Sequence, residues 1–286
     1  MIGSMLPADN HVHTEWSWDA VAGSMERSCA HAVELGLPSI AFTEHVDLTR
    51  WVIAPEAKLW RDGARVGPDG RFDPPALDVD GYLACLQRCR DRFPGLRILS
   101  GVEVGEPHWY EDQVKAVLAA VDCDRVLGSL HSLEVGGGPW IVDALYGESA
   151  PDGLEPDGIV RAYLAEALRM VESTDAFAVL AHIDYPVRRW PASAGAFDPA
   201  SFEAEYRAVL RALARSGRAL EVNTVVPLRA EVVRWWHEVG GEAVSFGSDA
   251  HTPSSVARDF AGAADMVEAQ GFLPGRDPSD LWRRRR

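Results

Sequence analysis

Seven short apolar runs alternate with seven amphipathic helical stretches along this chain, and that alternation narrows the possible folds more than any other feature. The runs at 8–13, 38–43, 97–104, 125–131, 176–183, 218–222 and 243–247 read as strands. Helical periodicity follows each of them, over 23–35, 81–92, 112–120, 158–173, 199–216, 228–238 and 255–269. Gly36 stands where a left-handed residue commonly closes a helix, at the end of the first one. A run as uniformly apolar as PSIAFT, at 38–43, suits a strand buried on both faces, the habit of parallel sheets. Strand–helix alternation of this kind implies right-handed crossovers and a parallel sheet.

The 286 residues form one α/β chain of barrel length, since such barrels run to ~250 residues as a single unit. Residues 1–286 are therefore read as one domain, with no internal linker or repeat. An open doubly wound sheet is the alternative, but no GxGxxG or phosphate-binding loop follows the first strand. Two connections, 47–80 and 134–156, lack any period and are rich in Pro, Gly and Asp; connections this long usually carry function.

A net charge of −15 argues against a stable nucleic-acid complex or attraction to an anionic membrane surface. No apolar run reaches membrane-spanning length, and the first residues lack a signal-peptide pattern, so a cytoplasmic location is expected. Cys29, Cys85, Cys89 and Cys123 form no CxxC pair; Cys85 and Cys89, four apart on a helix, read as packing residues in a reducing compartment. The Arg283–Arg286 run reads as a solvated tail.

The chemistry lies where the strands end. The first run closes on His11-Val12-His13, whose side chains share a face because strand residues alternate. Asp19 follows shortly after. Later runs close on Glu44-His45, Gly101-Val102-Glu103, Leu130-His131, Ala181-His182 and Asp249-Ala250-His251; the sixth closes on Glu221-Val222-Asn223-Thr224. Six of the nine histidines thus fall at the C-terminal ends of strands, the face on which barrels carry their active sites. His31 and His237 lie within helices and read as structural or surface residues, while His108 follows the third strand and is a weaker candidate for the pocket.

Nine ligand candidates (His11, His13, Asp19, His45, Glu103, His131, His182, Asp249 and His251) exceed the needs of one ion and suffice for two or three. Imidazole and carboxylate without thiolate suit Zn, Mn or Fe. Clustered divalent ions suit phosphate-ester hydrolysis, because they activate water and neutralise charge developing at phosphorus.

In order along the chain, HVHTEWSWDA, FTEHVD, GVEVGE, GSLHSLE, AHIDYPVRR, LEVNT and GSDAHT resemble the PHP (polymerase and histidinol phosphatase) phosphoesterases. AHIDYPVRR and LEVNT with Leu228-Arg229 point towards the members that hydrolyse L-histidinol phosphate. The amidohydrolases share the opening HxH and the closing aspartate, but normally lack a metal-binding histidine two residues beyond it. The resemblance implies a distorted (β/α)7 TIM-like barrel with a multinuclear centre. In it His11, His13, Glu103 and Asp249 hold one ion, Glu103 bridges to a second held by His131 and His182, and Asp19, His45 and His251 hold a third. Asp19 stands where many relatives carry a histidine.

The expected reaction is hydrolysis of a small phosphorylated metabolite, with nucleotides or other small phosphate esters as alternative substrates and a metal-binding regulatory domain as the non-catalytic alternative. Arg188 and Arg229 are the candidates to grip the phosphate, with Arg189 able to exchange with Arg188. A metal-bound water, Asp249 or His251 is expected to give the leaving alkoxide its proton, and Glu44 and Glu106 to bind the substrate's ammonium or imidazole.

Overall fold

The computed structural model describes residues 6–52, 69–147, 150–151, 153–277, 279 and 281–285. Parts of both long connections and Arg286 lie outside these residues. The strands in chain order are β1 (Asp9–Val12), β2 (Ser39–Val46), β3 (Trp51–Val52), β4 (Arg71–Phe72), β5 (Arg97–Gly105), β6 (Arg125–Ser129), β7 (Ser132–Val135), β8 (Gly138–Ile141), β9 (Val179–Leu180), β10 (Ala219–Asn223), β11 (Ala243–Gly247), β12 (Phe272–Leu273) and β13 (Trp282–Arg284). The helices are α1 (Met25–Leu35), α2 (Val79–Arg92), α3 (Glu111–Val121), α4 (Pro156–Ser173), α5 (Glu203–Ser216), α6 (Ala230–Glu238) and α7 (Phe260–Ala269).

Seven strands run parallel in the order β1-β2-β5-β6-β9-β10-β11, matching the seven runs read from the sequence. The sheet curls until its ends meet just beyond β11: Asp249 N donates to His11 O at 2.8 Å and His13 N to Ala250 O at 2.9 Å. This is a distorted (β/α)7 barrel. Small residues help it curl. Leu127, Val179, Ala181, Ala219 and Ala243 form a compact second cluster, while Leu180, Leu220, Val222, Val244 and Phe246 on alternate positions join the larger core beneath the helices. The expected end of α1 holds, since Gly36 closes it at φ 71°, and the Ser24 side chain caps its start.

Four departures from the sequence reading have physical causes. The fifth strand shortens to Val179–Leu180 because His182 N turns to the Glu221 carboxylate, at 2.7 Å, instead of a neighbouring backbone. The last helix begins at Phe260, because Ala257 (φ 53°) gives its N–H to Asp9 Oδ2 at 2.8 Å and Asp259 (φ 57°) is also left-handed. The arginine-rich end is no solvated tail through Arg284. Trp282 is buried against Phe246, with ring centres 4.9 Å apart, and β13 pairs antiparallel with β11.

The largest departure is that the two long connections are not wholly irregular. They contribute to one four-stranded sheet of order β4-β3-β8-β7, in which β3 and β8 pair in parallel. Gly136 and Gly137, both with positive φ, make the two-residue turn of the β7–β8 hairpin. Trp51 and Phe72 of this sheet pack with Trp18, their ring centres 5.2–5.8 Å apart. That aromatic cluster forms beside the mouth of the barrel.

Candidate metal centre

Glu103, at the end of β5, is the hub of the cluster. Its Oε2 lies 3.2 Å from His11 Nε2, 3.3 Å from His13 Nε2 and 3.1 Å from His45 Nδ1. Its Oε1 lies 3.2 Å from His131 Nε2 and 2.7 Å from His182 Nε2. Asp249 Oδ1 sits 3.3 Å from His13 Nε2 and 3.6 Å from His11 Nε2. Asp19 Oδ2 joins His251 Nε2 at 3.1 Å and His45 Nε2 at 3.4 Å. All nine ligand candidates are therefore connected in one network.

The donor set fits divalent metal on its own chemistry. His11 Nε2 and His13 Nε2 face each other at 3.0 Å, although His11 Nδ1 is already committed to Glu221. Among the described residues, Glu103 Oε2, Asp19 Oδ1 and His45 Nδ1 are buried without a hydrogen-bond partner. Three overlapping triads hold their ligand atoms within 4.8 Å of one another: His11–His13–Asp249, His45–Glu103–His131 and His13–His45–His251. The first agrees with the grouping implied by the resemblance. In the others His45 reaches Glu103 and His13 reaches His251, so these two rings stand between the expected subsites.

The electrostatics point the same way. Burial alone would raise the Glu103 carboxyl, yet the rings of His11, His131 and His45 hold it well below the carboxylate range. Burial opposes Asp249 in the same manner, and Arg188 and His11 keep it low. Burial would depress His45, but Asp19, Asp47 and Glu103 lift it to about 9. A pocket that raises buried imidazoles this far attracts positive charge of any kind.

A surrounding set of groups aims the ligands, as metal sites require. Glu221 Oε1 takes a hydrogen bond from His11 Nδ1 at 2.6 Å, turning Nε2 into the cluster. Asp47 Oδ1 does the same for His131 Nδ1 at 2.9 Å, and the Asp249 carbonyl for His251 Nδ1 at 3.0 Å. Gly247 lets Glu221 come this close: a Cβ there would fall 2.7 Å from the His11 Cβ and collide with the Glu221 carboxylate. Asp249 itself is held at φ 50°, a strained conformation for a non-glycine residue. The sequence reading assigned no role to Glu221 or Asp47. The alternation signal was present, since Asp47 lies two residues beyond His45, and Glu221 closes the sixth strand.

The proposed substrate contacts divide. Arg188 lines the cavity with its guanidinium 4.5 Å above the Tyr185 ring and 2.5 Å from Asp249 Oδ2. Arg229 is exposed, donates to Phe197 O at 3.1 Å, and is absent from the cavity lining. Arg189 is also exposed and pairs with Asp143 at 3.0 Å. The Glu44 and Glu106 assignments are corrected, because both side chains are sealed from the cavity. Glu44 accepts from Thr14 N, Thr14 Oγ1 and Ser17 Oγ, and Glu106 from Thr49 Oγ1, His131 N and Ser132 N. Buried carboxylates so fully used fix loops. His108 likewise turns to Glu166, at 2.7 Å, and lies outside the cavity lining.

The family model described as PHP domain matches residues 9–225. A "Probable histidinol-phosphatase" of Deinococcus radiodurans is 29% identical over 272 residues, covering 92% of this chain and 93% of the relative. A "Histidinol-phosphatase" of Lactococcus lactis is 23% identical over 279 residues, covering 94% and 93% respectively. The crystal structure of histidinol phosphate phosphatase from Lactococcus lactis, complexed with Zn, L-histidinol and phosphate, superposes with a TM-score of 0.77 at 21% identity, covering 97% of this chain and 99% of that one.

Proposed function

The chain belongs to the PHP domain family, and from that premise we propose that it is a metal-dependent phosphomonoesterase converting L-histidinol phosphate and water to L-histidinol and phosphate. The observation that carries the reading is the Glu103-centred network of imidazoles and carboxylates, opening onto a cavity lined in part by Arg188. Relatives that span almost the whole chain bear the name of this activity.

His11, His13, Asp19, His45, Glu103, His131, His182, Asp249 and His251 are assigned to hold two to three ions of Zn, Mn or Fe. When bound, such ions supply charge neutralisation and a nucleophile at neutral pH. Arg188 is assigned the phosphate, since it stands at the cavity wall beside the ligand Asp249 and its planar fork matches phosphate oxygens. Its interaction strengthens as charge spreads over the equatorial oxygens in the transition state. Asp249 and His251 line the cavity beside Arg188; they are assigned to relay a proton from water to the departing alkoxide.

The test is phosphate release from a panel containing L-histidinol phosphate, nucleoside monophosphates, sugar phosphates and p-nitrophenyl phosphate. Metal-loaded protein is expected to favour L-histidinol phosphate, and chelated protein to lose the activity. Preference for a nucleotide would replace the substrate assignment; no release from any ester would overturn the phosphatase reading.

A further inference from the structure

The cavity is lined by five carboxylates: Asp19, Asp47, Glu103, Asp143 and Asp249. Four of them contact the histidine network: Asp19 with His45 and His251, Asp47 with His131, Glu103 with its five rings, and Asp249 with His11 and His13. Asp143 is different. Its Oδ2 accepts from Arg189 Nε at 3.0 Å, while its Oδ1 is buried with no hydrogen-bond partner among the described residues. A buried carboxylate oxygen without a donor is costly unless something arrives to satisfy it.

Its position is firmly set. Asp143 lies on the short 3-10 turn Val142–Tyr146 that follows β8, and Val142 N donates to His131 O at 2.8 Å. The turn is thereby tied to a candidate ligand on the rim. The same cavity carries an aromatic and apolar lining from Trp18, Trp51, Ile141 and Tyr185. The partner on its other oxygen, Arg189, is 59% exposed, so solvent screens that pair and Asp143 keeps attraction for a further donor.

Resting on the phosphatase reading above, we infer that Asp143 is the specificity residue for the alcohol half of the substrate, its Oδ1 receiving an N–H of an ammonium or imidazole while the aromatic wall covers a flat ring. The substrate class is then a small amino-alcohol phosphate monoester, with phosphate towards Arg188 and nitrogen towards Asp143. The role denied to Glu44 and Glu106 by their burial passes to a residue in the second long connection.

The test compares Asp143→Asn, Asp143→Ala and Arg189→Ala in the metal-loaded protein. Two quantities are read: the ratio of kcat/KM on L-histidinol phosphate to that on p-nitrophenyl phosphate, and the Kd of unphosphorylated L-histidinol by calorimetry. Both Asp143 variants are expected to lower the ratio about ten-fold or more and to weaken L-histidinol to a similar degree, because a site built for an N–H donor discriminates strongly. Arg189→Ala, which leaves Oδ1 in place, is expected to change the ratio by less than about three-fold, as for a screened surface pair. An unchanged ratio and Kd in Asp143→Asn would overturn the inference. So would an equal loss in Arg189→Ala, which would trace the effect to the surface pair. If wild-type protein hydrolyses neither ester, the phosphatase reading fails, and calorimetry with L-histidinol decides Asp143 separately: weaker binding in the variants supports it, and no wild-type binding overturns it.

Discussion

The barrel rim and the small sheet beside it line the same cavity by different means. On the rim, all the candidate ligands but Asp19 sit at or near the ends of parallel strands of one continuous sheet. In the side sheet, β3 and β4 are two residues long, and β3 meets β8 at the single pair Val52–Trp140. The rim gathers charge, with Glu103 facing five imidazoles. The side sheet and its following turn bring Trp51, Ile141 and one carboxylate, Asp143. A rigid frame suits a metal centre, which depends on ligand placement. A wall made of connections suits selection of the leaving group, since loops change without disturbing the core. Under the proposed function, reaction type and substrate choice are housed in separate parts of the fold.

On this division, damage to the rim should stop turnover on every ester, whereas damage to the wall should change which ester is preferred. The largest effect is expected for Glu103→Ala, a loss of ~10³-fold or more with an unchanged circular dichroism spectrum, because a hub carboxylate of a multinuclear site is removed. Metal analysis should show fewer ions per chain; full metal content with near wild-type turnover would dissolve the comparison.

Arg188→Ala should lower kcat/KM about 10²-fold on any phosphate monoester, the loss typical of a charge-assisted contact. Arg229→Ala, whose side chain lies off the cavity, should cost less than about three-fold, as exposed side chains usually do. Equal losses in the two would restore a two-arginine clamp and require Arg229 to swing inward.

Glu221→Gln should weaken metal binding by about 10- to 100-fold, the usual result of disturbing a group that orients a ligand. Competition against a chromophoric chelator measures it, and unchanged affinity would mean that His11 is oriented by its backbone alone. The smallest effect is expected in the wall. Trp51→Ala should raise KM for L-histidinol phosphate by roughly five-fold, the scale of a modest apolar contact, with metal content retained. A fall in kcat on all esters would instead tie the wall to the rim.

Much of this arrangement was legible in the chain itself. Strand–helix alternation and period-two placement are local properties, so they located the seven parallel strands, put His11, His13, His45, Glu103 and His131 at their C-terminal ends, and gave His11 and His13 a shared face. Gly36 ended α1 for an equally local reason. The tertiary structure alone decided what depends on distant segments meeting. Glu221 reaches His11 across 210 residues, and Asp47 reaches His131 across 84. The curl of the sheet sets which arginine faces the cavity, admitting Arg188 and leaving Arg229 outside. Glu44 and Glu106 show the same limit. Their position near the rim was visible in the sequence, but the backbone and hydroxyl donors that engage them were not. Strands as short as β3 and β4 have too few residues to display a period, so only pairing with one another and with β8 defines them. A sequence reports the phase of each segment; the partners of its side chains are set by packing between segments far apart in the chain.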